Sequence, residues 1–186
     1  MLADGVSIGG VSGWTTSNIT SIGTYKPTTA QFTNEAPDGL NTAFENNDTT
    51  GTIAQVLTAT LQPNTIYKLQ VEVGARLDYP FAAYDVQLVA GSVVKASNNT
   101  VVPVAGSFST VTVSFSAANN DPQLGQPLEI RLVIVGGTPP GQVNFDNVRL
   151  VAIPEGVAPV ASQNSILALV AALALLGARK VRGKLV

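Results

Sequence analysis

Apolar residues in the first 150 positions recur at every second place, and this constrains the fold more than any other feature. Tyr67, Leu69, Val71 and Val73 alternate with Lys68, Gln70 and Glu72. Val111, Val113 and Phe115 alternate with Thr110, Thr112 and Ser114, and Val86 and Leu88 with Asp85 and Gln87. Leu128, Ile130, Leu132 and Ile134 alternate with Glu129 and Arg131. A period of two puts one set of side chains on each face of an extended chain, so each run reads as a strand with one dry face.

The runs are separated by clusters that turn the chain, such as Ala36-Pro37-Asp38-Gly39, Gln62-Pro63-Asn64 and Asn119-Asn120-Asp121-Pro122. Glycine supplies positive φ, proline fixes φ, and Asn and Asp bond their own backbone. Half-buried strands at this spacing predict an all-β body, an antiparallel β-sandwich of about eight strands in jelly-roll order.

The chain has no cysteine and no histidine. That excludes zinc sites built on His or Cys and nucleophilic catalysis by Ser-His-Asp or Cys-His sets. Carboxylate, hydroxyl, amide and phenol chemistry remain, and Ca2+ is the metal such ligands favour, here as a possible structural ion. Before Val157 there are six basic and twelve acidic residues, a net charge of −6. No basic stripe is present, so nucleic acid is not an expected partner.

The last thirty residues differ in kind. An uncharged stretch runs from Val157 to Ala178, and Arg179, Lys180, Arg182 and Lys184 follow it. Ile166 to Leu176 has high helix propensity and, with the residues before it, approaches the roughly 20 needed to cross a bilayer. The basic end would stay in the cytoplasm. We divide the chain into a sandwich, residues 1–152, and a tail, residues 153–186, with a transmembrane-type helix.

Ile153-Pro154-Glu155-Gly156, the apolar stretch and the basic end together resemble the PEP-CTERM sorting tail of exported bacterial proteins. The resemblance implies Pro154 and Glu155 as the sorting signal, exosortase-type machinery as a partner, and delivery to the cell envelope or beyond. The helix would sit in the inner membrane before processing. Met1 to Gly10 has no basic n-region and no long apolar h-region. The expectation is therefore a start further upstream, with a first strand missing here.

One stretch of the body carries candidate chemistry, Phe145-Asp146-Asn147-Val148-Arg149-Leu150. Asp146 shares strand parity with Val148 and Leu150, which places it facing the core. A buried acid needs a partner. Three readings stay open: a structural hydrogen bond, a structural calcium, or a catalytic or ligand-binding acid. The phrase resembles the last strand of carbohydrate-binding-module-like sandwiches, where the Asp commonly helps hold calcium.

More of the body resembles such sandwiches in PEP-CTERM proteins and in the Stig cyclases, which rearrange and cyclise isonitrile-bearing indole terpenoids. The segments are Gly13-Trp14, Pro37 to Phe44, Ile53 to Leu57, Tyr67 to Gly74 and Phe145 to Leu150, in that order. The cyclase resemblance implies an aromatic pocket with Trp14, Phe44 and Phe81 around Asp146 as proton donor. A carboxyl in an apolar pocket keeps its proton to higher pH, and aromatic faces stabilise developing cations. The alternative is that these three rings are ordinary core.

The main expectation is an exported, non-enzymatic module that binds carbohydrate or matrix. The second is a Stig-type cyclase that takes a small hydrophobic ligand and uses Asp146 as general acid. An exposed aromatic platform would favour the first, and a closed apolar pocket with Asp146 at its base the second.

Overall fold

The computed structural model describes residues 7–17, 20–46, 50–135 and 140–156. The apolar tail after Gly156 lies outside the described residues, and with it the expected membrane helix. Eleven strands are found among the described residues, against the eight expected. They are β1 (Ser7–Ile8), β2 (Thr15–Ser17), β3 (Ile22–Tyr25), β4 (Thr42–Asn46), β5 (Gly51–Thr60), β6 (Thr65–Ala75), β7 (Tyr84–Ala90), β8 (Val93–Asn98), β9 (Ser107–Ala117), β10 (Pro127–Ile134) and β11 (Gln142–Pro154). The surplus comes from short pieces: β1 and β2 have two and three residues, too few for any periodicity to show.

The strands form two antiparallel sheets, in the orders β1-β3-β4-β11-β6-β9 and β2-β5-β10-β7-β8. The alternation does what the sequence requires of it. On β6, Tyr67, Leu69, Val71 and Val73 are fully buried between the sheets, while Lys68 is exposed and Gln70 and Glu72 are half-buried on the other face. On β10, Leu128, Ile130, Leu132 and Ile134 meet them from the second sheet. Each such side chain contributes about 1.5–3 kcal/mol of hydrophobic stabilisation. β7 and β8 are joined by Gly91 and Ser92, both at positive φ (53° and 69°), as a tight hairpin with right-handed strand twist requires.

On β11 the period of two fails between Asp146 and Arg149. Asp146 lies opposite Glu72, but Arg149 lies opposite Gln70, so three residues of β11 span two of β6. The extra residue is accommodated by Asn147, which adopts a left-handed backbone with φ of 48°. This is a β-bulge, and it reverses which face the chain presents on either side of it. Val148 and Leu150 face the core, and so does Phe145. Asp146 therefore faces away from the core, on the outer face of the six-stranded sheet. The expected inward orientation is corrected: parity counted back from Val148 and Leu150 does not survive the inserted residue.

The part of that outer face around Asp146 is covered by residues 26–41. The backbone N–H of Leu77 donates to Gln31 O (2.9 Å) and that of Thr33 to Gly106 O (2.9 Å). The Phe32 ring stacks on Phe108 with centroids 4.4 Å apart. β11 continues past Ala152 to pair Ile153 with Ile66 and Pro154 with Thr65.

Candidate active site

Before the bulge, β11 presents Gln142, Asn144 and Asp146 to the outer face, two residues apart. All three are buried. On β4, Phe44 lies opposite Asn144, and on β3, Tyr25 lies opposite Thr42. On the other side Gly74 lies opposite Asn144, and Phe108 of β9 lies opposite Gly74. Gly74 is glycine because the Phe108 ring rests on it: a Cβ there would sit 2.5 Å from the ring. Tyr25, Phe32 and Phe44 form an aromatic cluster with Phe108 against it, separate from the core between the sheets.

Asp146 is wholly shielded from water. Its Oδ2 accepts the backbone N–H of Asp38 at 3.1 Å and its Oδ1 that of Asn147 at 2.8 Å. Burial is the dominant influence on the carboxyl and pushes its pKa up to about 6. The two N–H donors pull it back, and the negative charges of Asp38 and Glu72 add to the rise. The group thus keeps its proton up to about pH 6, well above the ordinary carboxylate range, and can give it up.

A polar network closes one edge of the face. Arg76 donates to both oxygens of Asp78 (2.8 and 2.6 Å) and to Gln142 Oε1 (2.9 Å). Gln142 in turn donates to Asn46 Oδ1 at 2.8 Å. The Arg76 guanidinium lies 5.7 Å from the Tyr25 ring and 5.9 Å from the Tyr79 ring. Burial raises the Tyr25 phenol to about 12, so it stays neutral.

Of the expected site residues, the structure brings Phe44 and Asp146 to one face. Trp14 packs in the core between the sheets. Phe81 sits at the edge of that core, edge-on to Tyr84 at 5.8 Å. Neither reaches the face that carries Asp146. Sequence reasoning missed Asn144, Phe108 and Phe32. A signal was present for Asn144, because Gln142, Asn144 and Asp146 are polar at period two against Val143 and Phe145. That phase conflicts with the one set by Val148 and Leu150, and the conflict marks a bulge between them.

Both oxygens of Asp146 accept backbone N–H groups, and among the described residues no group of three acidic side chains is placed to hold a metal ion. Pro154 and Glu155 lie at the end of β11. The N–H of Glu155 donates to Asn64 O (2.6 Å) and its Oε1 accepts from Ser116 Oγ (2.5 Å).

A buried acid among aromatic rings on a two-sheet antiparallel sandwich defines a class of site suited to small apolar ligands with a proton to receive. The family model described as HpiC1 cyclase matches residues 2–151, and the chain belongs to that family. The Stig cyclase Fisc from Fischerella sp. TAU, solved with (3Z)-3-(1-methyl-2-pyrrolidinylidene)-3H-indole, is 33% identical, with 82% of this chain and 91% of that chain covered and a TM-score of 0.71. A cyclase from Fischerella sp. TAU in complex with 4-(1H-indol-3-yl)butan-2-one is 34% identical over the same shares, with a TM-score of 0.73. TmCBM61 in complex with β-1,4-galactotriose, at 12% identity, 79% and 92% coverage and a TM-score of 0.51, shows the fold alone. No curated protein matches the chain.

These findings overturn the main expectation of a non-enzymatic carbohydrate or matrix module. The family is one of cyclases, and the likeness to carbohydrate-binding modules does not go beyond the shared sandwich.

Proposed function

We propose that the protein is a Stig-type cyclase that closes a ring in a hydrophobic, indole-bearing substrate, with Asp146 as general acid. The observation that carries this reading is the Asp146 carboxyl, buried on the aromatic outer face with its pKa raised to about 6. The acid gives its proton to the substrate, which becomes a cation. A substrate π-bond attacks that cation and forms the new carbon–carbon bond, and the cyclised cation then loses a proton to the Asp146 carboxylate. The product is an isomer of the substrate and the enzyme is restored. Phe44 and Phe108 offer faces that stabilise positive charge, and the covering segment excludes the water that would quench it.

The test is turnover of an isonitrile-bearing indole terpenoid, followed as a product of unchanged mass and altered retention. The intact protein yields the cyclised isomer. Asp146→Asn lowers the rate by roughly 10²–10⁴-fold while the protein still melts cooperatively. Wild-type rates in that variant would reject Asp146 as the acid. Absence of turnover by the intact protein across such substrates would reject the cyclase reading.

The same proposal includes the address. The Pro154-Glu155 pair, the apolar stretch and the basic end support an exported enzyme sorted to the cell envelope by exosortase-type machinery. A sorting enzyme that engages this pair first has to release Glu155 from Ser116 and Asn64.

A further inference from the structure

Asn144 carries an acceptor with nothing to accept. Its Nδ2 donates to the Tyr25 hydroxyl oxygen (3.2 Å) and to Ala43 O (3.4 Å). Its Oδ1 is closed off from water and has no hydrogen-bond partner among the described residues. The amide cannot be reversed to relieve this. A main-chain carbonyl only accepts, so the NH2 group has to face Ala43 O and Oδ1 has to point elsewhere. Native interiors leave few such acceptors unpaired, and each needs a reason.

The surroundings of Asn144 give one. Phe44 is its cross-strand partner on β4, and on β6 its partner is Gly74, over which the Phe108 ring lies. The acceptor is thus framed by an aromatic ring on each side. Asp146 follows two residues on, on the same face, about 6.6 Å along the strand. An acceptor and an acid at that separation, between flat apolar walls, suit a planar heterocycle with one N–H and a carbon to be protonated. Phe32 now occupies the stacking place against Phe108, at 4.4 Å.

We propose that Asn144 Oδ1 accepts the ring N–H of an indole-type ligand, which takes the place of Phe32 against Phe108 and is thereby oriented toward Asp146. Asn144 is then a specificity-determining residue, and its role rests on the reading of this face as the cyclase site. It selects a 1H-indole, which has a ring N–H, over a heterocycle without one.

Calorimetric titration of the intact protein with 4-(1H-indol-3-yl)butan-2-one and with its benzofuran counterpart tests this. The two differ only in ring N–H against ring O. We expect the indole to bind at least about tenfold more tightly, and Asn144→Leu to bind the two alike. Equal affinities in the wild type would overturn the role of Asn144 and leave the indole site standing. A preference that persists in Asn144→Leu would do the same. Binding of neither compound to the wild type would overturn the indole site itself, and the role of Asn144 with it. The wild-type comparison decides even if the variant fails to fold.

Discussion

The backbone N–H of Asp38 donates to the Oδ2 of Asp146 at 3.1 Å, across 108 residues of sequence. This bond joins the segment covering the outer face to the acid at its floor. It also lowers the pKa of Asp146, against the larger upward effect of burial. The acid's state and the cover's anchor are therefore linked: the bond is strongest to the carboxylate and weakens when the proton arrives.

A pH profile of kcat/KM checks this arrangement. The active form is the protonated acid, with its pKa raised from an ordinary 3.8 to about 6. The rate should rise as pH falls through about 6 and level off below it. Glu72→Gln removes a negative neighbour that pushes the value up, so the inflection should move to lower pH. A flat profile between pH 5 and 8, with substrate binding unchanged, would exclude Asp146 as the proton donor.

Glu45 predicts a second pH effect, on stability. It lies on the inner face of β4, fully buried, and neither carboxyl oxygen has a hydrogen-bond partner among the described residues. Gly51 leaves it room, since a Cβ there would collide with Glu45 Oε1. Burial raises its pKa from an ordinary 4.5 to about 8. Below about 4.5 the group is protonated in folded and unfolded chains alike. As pH rises from there to 8, the unfolded chain sheds the proton while the folded chain keeps it, so stability falls. The loss is on the order of 4 kcal/mol across that window. Asp146 acts in the same direction, between about 4 and 6. Denaturant melts from pH 4.5 to 8.5 should show the decline, and Glu45→Met should remove most of the part above pH 6. Stability that rises over this range would contradict the burial of Glu45 as an unpaired acid.

Much of the fold was legible because burial imposes its period directly. The long strands β6, β7, β9 and β10 carry that alternation over seven to eleven residues. β1 and β2 are too short to carry it. The candidate site was legible in part. Asp146 stood out as an acid on an apolar strand, but its face was misjudged, because a bulge adds one residue without any apolar signature. Phe32 and Phe108 could not be assigned, since their pairing joins a loop to a distant strand. Trp14 and Phe81 could be read as pocket or as core because aromatic side chains serve both equally well, and the structure packs them with the core between the sheets.

The end of the body is open to direct test. β11 pairs with β6 as far as Pro154 opposite Thr65, and Glu155 binds Asn64 and Ser116. A chain cut after Gly156 keeps all of these contacts and should stay soluble, with β-type circular dichroism and one cooperative melt. A chain cut after Ala152 loses them and should be less stable by about 1–2 kcal/mol. Aggregation of the longer chain, with the full protein in detergent still folded, would show that the apolar tail belongs to the sandwich.

The bulge at Asn147 gives the last prediction. Its left-handed backbone, φ of 48°, is tolerated by Asn and easier still for Gly, but costs a β-branched residue about 1–2 kcal/mol. Asn147→Gly should therefore leave stability nearly unchanged, while Asn147→Val lowers it by roughly that amount. The two variants should also part in activity. The N–H of residue 147 caps Asp146 Oδ1 at 2.8 Å, and only a backbone that keeps its left-handed turn holds it there. With Gly the kcat/KM inflection should stay near 6. With Val the strand relieves strain by moving the N–H away, the carboxylate loses a donor, and the inflection should move up. An inflection that is the same in both variants, with the stability difference intact, would show that the bulge sets only the face of Asp146 and not its acidity.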